Sequence, residues 1–153
     1  MSRPPDFHID RHGTWRYRGS VIEREAMVRL FAGMLHKRGE RYVLQTPEQV
    51  LRVRVDDAPF LITDMELSAD GAELRRIWMI TDLGERFMVC REHPHFLRED
   101  RGRGEVRAYQ RVRDGMPALV HRNVFYRMAE LAGIDGQSGK AGVRSDGIFF
   151  ALE

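Results

Sequence analysis

Trp15-Arg16-Tyr17-Arg18-Gly19-Ser20-Val21-Ile22-Glu23-Arg24 decides the fold, because a helical pattern follows it and a counterpart stands farther along the chain. Its residues read as two short strand arms around a glycine turn. From Arg24 to about His36, Ala26, Met27, Leu30, Phe31, Met34 and Leu35 then fall on one apolar stripe, and Gly39 is expected to stop the helix. The counterpart is Tyr109-Gln110-Arg111-Val112-Arg113-Asp114-Gly115, continued by Met116-Pro117-Ala118-Leu119-Val120-His121-Arg122. Val124, Phe125, Met128, Leu131 and Ala132 form a second stripe, with Gly133 at the C-terminal stop position.

Placing Arg24 on Arg122 also matches Ile22 with Val120, Arg29 with Arg127 and Leu30 with Met128. Ser20-Val21-Ile22-Glu23 reads equally as a helix capping box, but the match with the second stretch favours a strand at Val21-Ile22. Further strands follow each helix, Arg41 to Gln45 in the first case and Val143 with Ile148 to Leu152 in the second. The pattern predicts an α+β chain of two related halves, residues 1–70 and 71–153, each a hairpin leading into one amphipathic helix.

Between the halves, period-two alternation dominates. Leu51, Val53 and Val55 face one way, with Arg52, Arg54 and Asp56 opposite. Phe60 to Leu67, Glu73 to Thr81 and Arg86 to Cys90 continue the alternation, separated by Asp70-Gly71 and Leu83-Gly84 turns. This region is expected to be a central antiparallel β-meander.

Composition narrows the class. The chain has 153 residues, 42% hydrophobic and 31% charged, which fits a globular protein and excludes fibrous or wholly disordered chains. Ile77-Trp78-Met79-Ile80 is too short to cross a bilayer, and the first residues show no apolar secretory region. Cys90 is the lone cysteine, which fits a reducing, cytoplasmic location. A pI near 9.0 raises nucleic acid as a partner. The net charge is only +2, however, with 13 basic and 12 acidic residues in 1–80 against 12 and 11 in 81–153. No basic lobe stands out, so neither nucleic acid nor membrane is expected as a partner.

Several stretches carry a family likeness: Phe7-x-Ile9-Asp10-x-x-Gly13-x-Trp15-x-Tyr17-x-Gly19-Ser20, Ile22-x-Arg24, Val28 to Ala32 and Thr46-Pro47. They continue with Val55-x-Asp57-Ala58-Pro59-Phe60, Glu92-His93-Pro94, Val112 to Gly115, Ala118-Leu119, Val124 to Tyr126 and Gly147-x-Phe149-Phe150. In these the chain resembles the bacterial domain-of-unknown-function family 1285, in order and over nearly its whole length. The resemblance implies an α+β architecture of two related halves, with a cleft between them as a ligand site in signalling. It implies no established activity or cofactor. Val143-Arg144-Ser145-Asp146, Glu23 and Asn123 depart from the family pattern.

Arg24 and Arg122 are the leading candidate site residues. Each opens a helix, where unpaired N–H groups and the positive dipole end already favour an anion, and a guanidinium grips a carboxylate or phosphate in two-point fashion. The bland alternative is a surface ion pair with a local acid such as Glu23 or Glu25. Asp57 and Tyr126 complete the expected ligand site. Asp56-Asp57 raises a hard cation, but neighbours on a strand point apart, so a turn is the simpler reading and no metal is expected. Cys90 with His93 raises nucleophilic catalysis, and the scattered histidines give no zinc spacing. Gly133 to Lys140 resembles a phosphate loop but lacks its first glycine and its hydroxyl, so it reads as a mobile glycine-rich loop. Met27, Met34, Met65, Met79, Met88 and Met128 read as core filler.

These features favour a non-enzymatic ligand-binding or sensory domain, holding a small anion near Arg24, Arg122, Asp57 and Tyr126 without a cofactor. A protein-interaction module is the alternative, and a hydrolase or transferase built on Asp57, His93 or Cys90 is a third reading.

Overall fold

The computed structural model describes residues 4–68 and 75–153. The chain divides into two compact units, up to Pro59 and from Phe60 onward. The division falls before residue 70 because the strand starting at Phe60 pairs only within the second unit.

In the first unit, β1 (Phe7–Ile9), β2 (Trp15–Tyr17) and β3 (Ser20–Val21) form an antiparallel run. Arg18 and Gly19 turn between β2 and β3 with φ of 49° and 87°, the left-handed pair that a tight two-residue hairpin demands. Val21 pairs with Arg16, and the Ile22 amide donates to the Trp15 carbonyl at 2.9 Å, so the segment is a strand rather than a capping box. Then come α1 (Glu25–Gly33), β4 (Leu35–Arg38), β5 (Arg41–Gln45) and β6 (Val50–Val55). The sheet order is β3-β2-β1-β6-β5-β4, with β1 and β6 parallel.

Helix α1 is shorter than its periodicity predicts. Leu35 and Lys37 pair with Leu44 and Tyr42, so the chain leaves the helix at Gly33 and Gly39 serves the β4–β5 turn instead. The stripe is also less buried than expected. Phe31 packs on Phe7 with ring centres 5.0 Å apart and Ala32 is buried, but Met27 and Leu30 are exposed.

The second unit opens with β7 (Phe60–Ser68), β8 (Arg76–Thr81) and β9 (Arg86–Met88), an antiparallel meander. The expected Asp70-Gly71 turn lies outside the described residues. β6 is not part of this meander: it pairs with β1 and β5, and the Asp56 to Pro59 bend ends its sheet. Next come β10 (His95–Glu99), β11 (Val106–Arg111), β12 (Pro117–Val120) and α2 (Arg122–Ala129). The sheet order is β10-β11-β12-β7-β8-β9, with β12 and β7 parallel. Asp114 and Gly115, with φ of 55° and 69°, take the place that Arg18 and Gly19 hold in the first unit. Two similarly organised sheets, each with one strand-then-helix junction, make this an α+β protein of two related halves.

The glycine-rich stretch after α2 is a hairpin rather than a loop. β13 (Gly133–Ile134) pairs with β14 (Ala141–Ser145), and β14 with β15 (Ile148–Ala151). Gly133 therefore begins a strand instead of capping α2, which ends at Ala129. The buried Ser145 hydroxyl accepts the Ile77 amide at 2.9 Å and fastens this small sheet to β8. Val124 and Met128, one turn apart on α2, are both fully buried. Each contributes about 1.5–3 kcal/mol by leaving water. Met65 and Met79 join them in the core, Met34 and Met88 are half-buried, and Met27 departs from the expected filler role. No helix among the described residues is long and apolar enough to cross a membrane.

Candidate functional site

One concavity of the second unit gathers two of the four candidate residues. It has a volume of about 450 Å³, and Arg122, Tyr126 and Phe125 of α2 meet Leu97, Ala108 and Val120 of the sheet there. The sheet residues share one face by register: Leu97 stands opposite Ala108, while Val120 lies two places beyond Ala118, itself opposite Gln110. Arg107, Glu105 and Glu153 supply further charge at the rim.

Local chemistry sets this geometry. Asp100 is buried and its carboxylate accepts the Arg103 and Gly104 amides, which shapes the turn delivering Glu105 and Arg107. Its other oxygen lies 3.9 Å from Arg107. At the start of α2 the His121 ring accepts the Asn123 amide through Nδ1 at 3.1 Å, leaving Arg122 as the first helical residue. Arg122 is exposed and makes no ion pair with the described residues, so the local-acid alternative is not what the structure has. An i,i+4 pair of that kind does occur on α1, where Arg29, the counterpart of Arg127, meets Glu25 at 2.6 Å. Tyr126 is 57% exposed above the concavity.

Arg24 and Asp57 belong to the first unit. Arg24 is exposed at the cap of α1, where its side chain makes no capping bond. Asp57 is buried. Asp56 bonds to His8 at 2.9 Å and to Arg54 at 3.1 Å, the behaviour of a turn carboxylate rather than half of a cation site. No cluster of metal-ligating side chains occurs among the described residues.

The profile for the C-terminal domain of the proteins of unknown function DUF1285 matches residues 59–152, and that for the N-terminal domain matches residues 3–58. The chain belongs to the DUF1285 family. A DUF1285 protein from Silicibacter pomeroyi is 36% identical, with a TM-score of 0.88 over 99% of this chain and 84% of that one. A second, from Shewanella baltica, is 27% identical, with a TM-score of 0.65 over 84% of this chain and 94% of that one. Among curated proteins none matches.

In this DUF1285 chain, Cys90 is buried with its Sγ 3.8 Å from His93 Nδ1. Burial pushes the thiol up, which keeps it protonated at neutral pH, the opposite of an activated nucleophile. His93 meets the edge of Phe87 with centres 5.6 Å apart, so packing accounts for its place. Residue spacing alone missed His95 and Gln110, two buried polar residues facing one another across β10 and β11. Strand alternation would have put both on the face of Leu97 and Ala108, and that was the available signal.

Proposed function

We propose that this protein is a cytoplasmic, non-enzymatic ligand-binding domain that reads a small organic anion in the concavity beside Arg122. One observation carries the reading: an exposed arginine without an ion pair among the described residues stands in the first turn of α2, over an apolar wall of about 450 Å³. That volume suits a small ligand. The guanidinium and the positive dipole end of α2 favour a carboxylate or phosphate, and Phe125 with Val120 and Leu97 favours an apolar body behind it. Glu105 and Glu153 at the rim weigh against a ligand of high negative charge. A sensory role, with occupancy relayed to a partner, is the finer part of the proposal.

A thermal-shift screen of small carboxylates and organic phosphates tests it, because a ligand that binds only the folded state raises its melting temperature. The expected hit stabilises the parent and loses most of that effect in Arg122→Ala. Equal stabilisation of both proteins would remove Arg122 from the site.

A second reading, a protein-interaction module, is favoured by the exposed Met27 and Leu30 on α1. It predicts that Leu30→Asp leaves the fold intact and abolishes association measured by analytical ultracentrifugation or pull-down.

A further inference from the structure

Two buried side chains of the second unit have polar atoms that none of the described residues satisfies. His95 and Gln110 stand directly opposite on β10 and β11, at 4% and 0% exposure. Both ring nitrogens of His95 and the Oε1 of Gln110 lack a hydrogen-bond partner among the described residues. The remaining half of the Gln110 amide is committed: Nε2 donates to the main-chain oxygens of His93 and Arg111. Turning the amide over would set its oxygen against those two carbonyls, so Oε1 is held as the free acceptor.

Burying such atoms without partners costs about 1–3 kcal/mol each, and native interiors rarely tolerate it. Opposed residues on an antiparallel pair have Cβ atoms roughly 5 Å apart and project from one face. An imidazole and a glutamine oxygen at that spacing bracket a single oxygen atom. With its N–H turned inward, His95 asks for an occupant that accepts from the ring and donates to Gln110 Oε1, which a neutral hydroxyl-type group does and a carboxylate does not. A cation would bring a charge into a buried position. Phe125 of α2 stacks on the His95 ring at 6.4 Å with a 23° tilt and closes the position from the helix side. Residues that join polar atoms in a closed apolar setting are the usual hosts of internal water.

We propose that His95 and Gln110 form a binding site for one internal water molecule, enclosed between β10, β11 and Phe125. The water accepts a hydrogen bond from the imidazole N–H and donates one to the Gln110 oxygen. His95 and Gln110 do not line the concavity beside Arg122, although Phe125 borders both, and the water site stands whether or not that concavity binds a ligand.

The test is a crystal structure of the parent protein at a resolution that shows ordered solvent, with oxygen-17 magnetic relaxation dispersion in solution. The expected result is an isolated oxygen peak within about 3.2 Å of both a His95 ring nitrogen and Gln110 Oε1. Dispersion should count one fewer long-lived water in the His95→Phe, Gln110→Met double variant than in the parent. A direct His95–Gln110 hydrogen bond with no peak between them overturns the proposal. Oxygen density continuous with carbon, as from an alcohol, overturns it too, as does an unchanged water count in a folded double variant. If the double variant fails to fold, His95→Phe alone is read by the same dispersion, and an unchanged count there counts against the site.

Discussion

Arg127 on α2 joins two partners on β7 at once: it donates to the Asp64 carboxylate and, through Nη2, to the Met65 main-chain oxygen at 2.9 Å. The register of β7 against β8 shifts between Ile62 and Asp64, so this one side chain clasps an irregular strand to the helix. The hydrogen bond from Arg127, foremost, holds the Asp64 carboxyl below its ordinary value of 3.8. Arg127→Met should therefore lower the melting temperature by a few degrees at pH 7, and Arg127→Lys by less than that. Because the folded-state value is depressed, the contribution is whole above about pH 4 and fades as the carboxylate takes up its proton at lower pH. The gap between parent and variant, followed by thermal melts from pH 7 to pH 3, should close toward the acid end.

Gly142 is required by close packing rather than by backbone conformation. A methyl group there would stand 2.3 Å from the Phe150 carbonyl oxygen and 2.5 Å from the Phe149 ring, and main chain cannot yield as a flexible side chain does. Gly142→Ala should cost about 1–3 kcal/mol in urea unfolding. Gly136→Ala, in the same hairpin, has nothing within 4 Å and should stay within about 0.5 kcal/mol of the parent. Equal effects of the two would contradict the packing argument.

His95 predicts a second pH dependence, of the opposite chemical kind. Burial pushes its ring down to about 4, against an ordinary 6.5. The folded protein therefore keeps a neutral imidazole where the unfolded chain accepts a proton. Stability is unaffected by this residue above about pH 6.5, falls as the pH is lowered, and levels off below about 4. The full effect is about 3 kcal/mol. Chemical denaturation of the parent and of His95→Phe across pH 7.5 to 4 should show the parent losing ground. A constant difference would mean that the folded state leaves the imidazole open to bulk solvent.

The doubled strand-then-helix unit was legible because Gly19 and Gly115 punctuate matching stretches, and Val124 and Met128 repeat at helical spacing. The helix end was not. Met34 and Leu35 continue the α1 stripe, yet pairing of Leu35 with Leu44 outweighs local periodicity, and a nonlocal partner leaves no mark in a local pattern. The same applies to β6 and β7, which alternate alike and pair in different sheets. Alternation reports which face is apolar and not which strand lies alongside. At the site, Arg122 was legible from its place at the opening of the second helix, and Tyr126, four residues on, shares its face. Arg107 and Glu105 reach the same wall through the Asp100 turn, a contribution invisible until β11 is laid against β12.

Charge reversal at the rim separates an anion site from a merely greasy hollow. Glu105 and Arg122 line one concavity with opposite charges, and both are exposed. For a carboxylate or phosphate ligand identified by thermal shift, Arg122→Ala removes the two-point grip and should weaken binding about tenfold or more, since charge-assisted contacts contribute about 1.5–3 kcal/mol. Glu105→Gln removes a repulsive neighbour and should tighten binding about two- to five-fold, the scale of a solvent-screened charge interaction. Raising the salt concentration should shrink both effects. Titration calorimetry of the three proteins at two ionic strengths reads all of this. If both variants weaken binding alike, the wall recognises shape rather than charge, and Arg122 does not grip the anionic group.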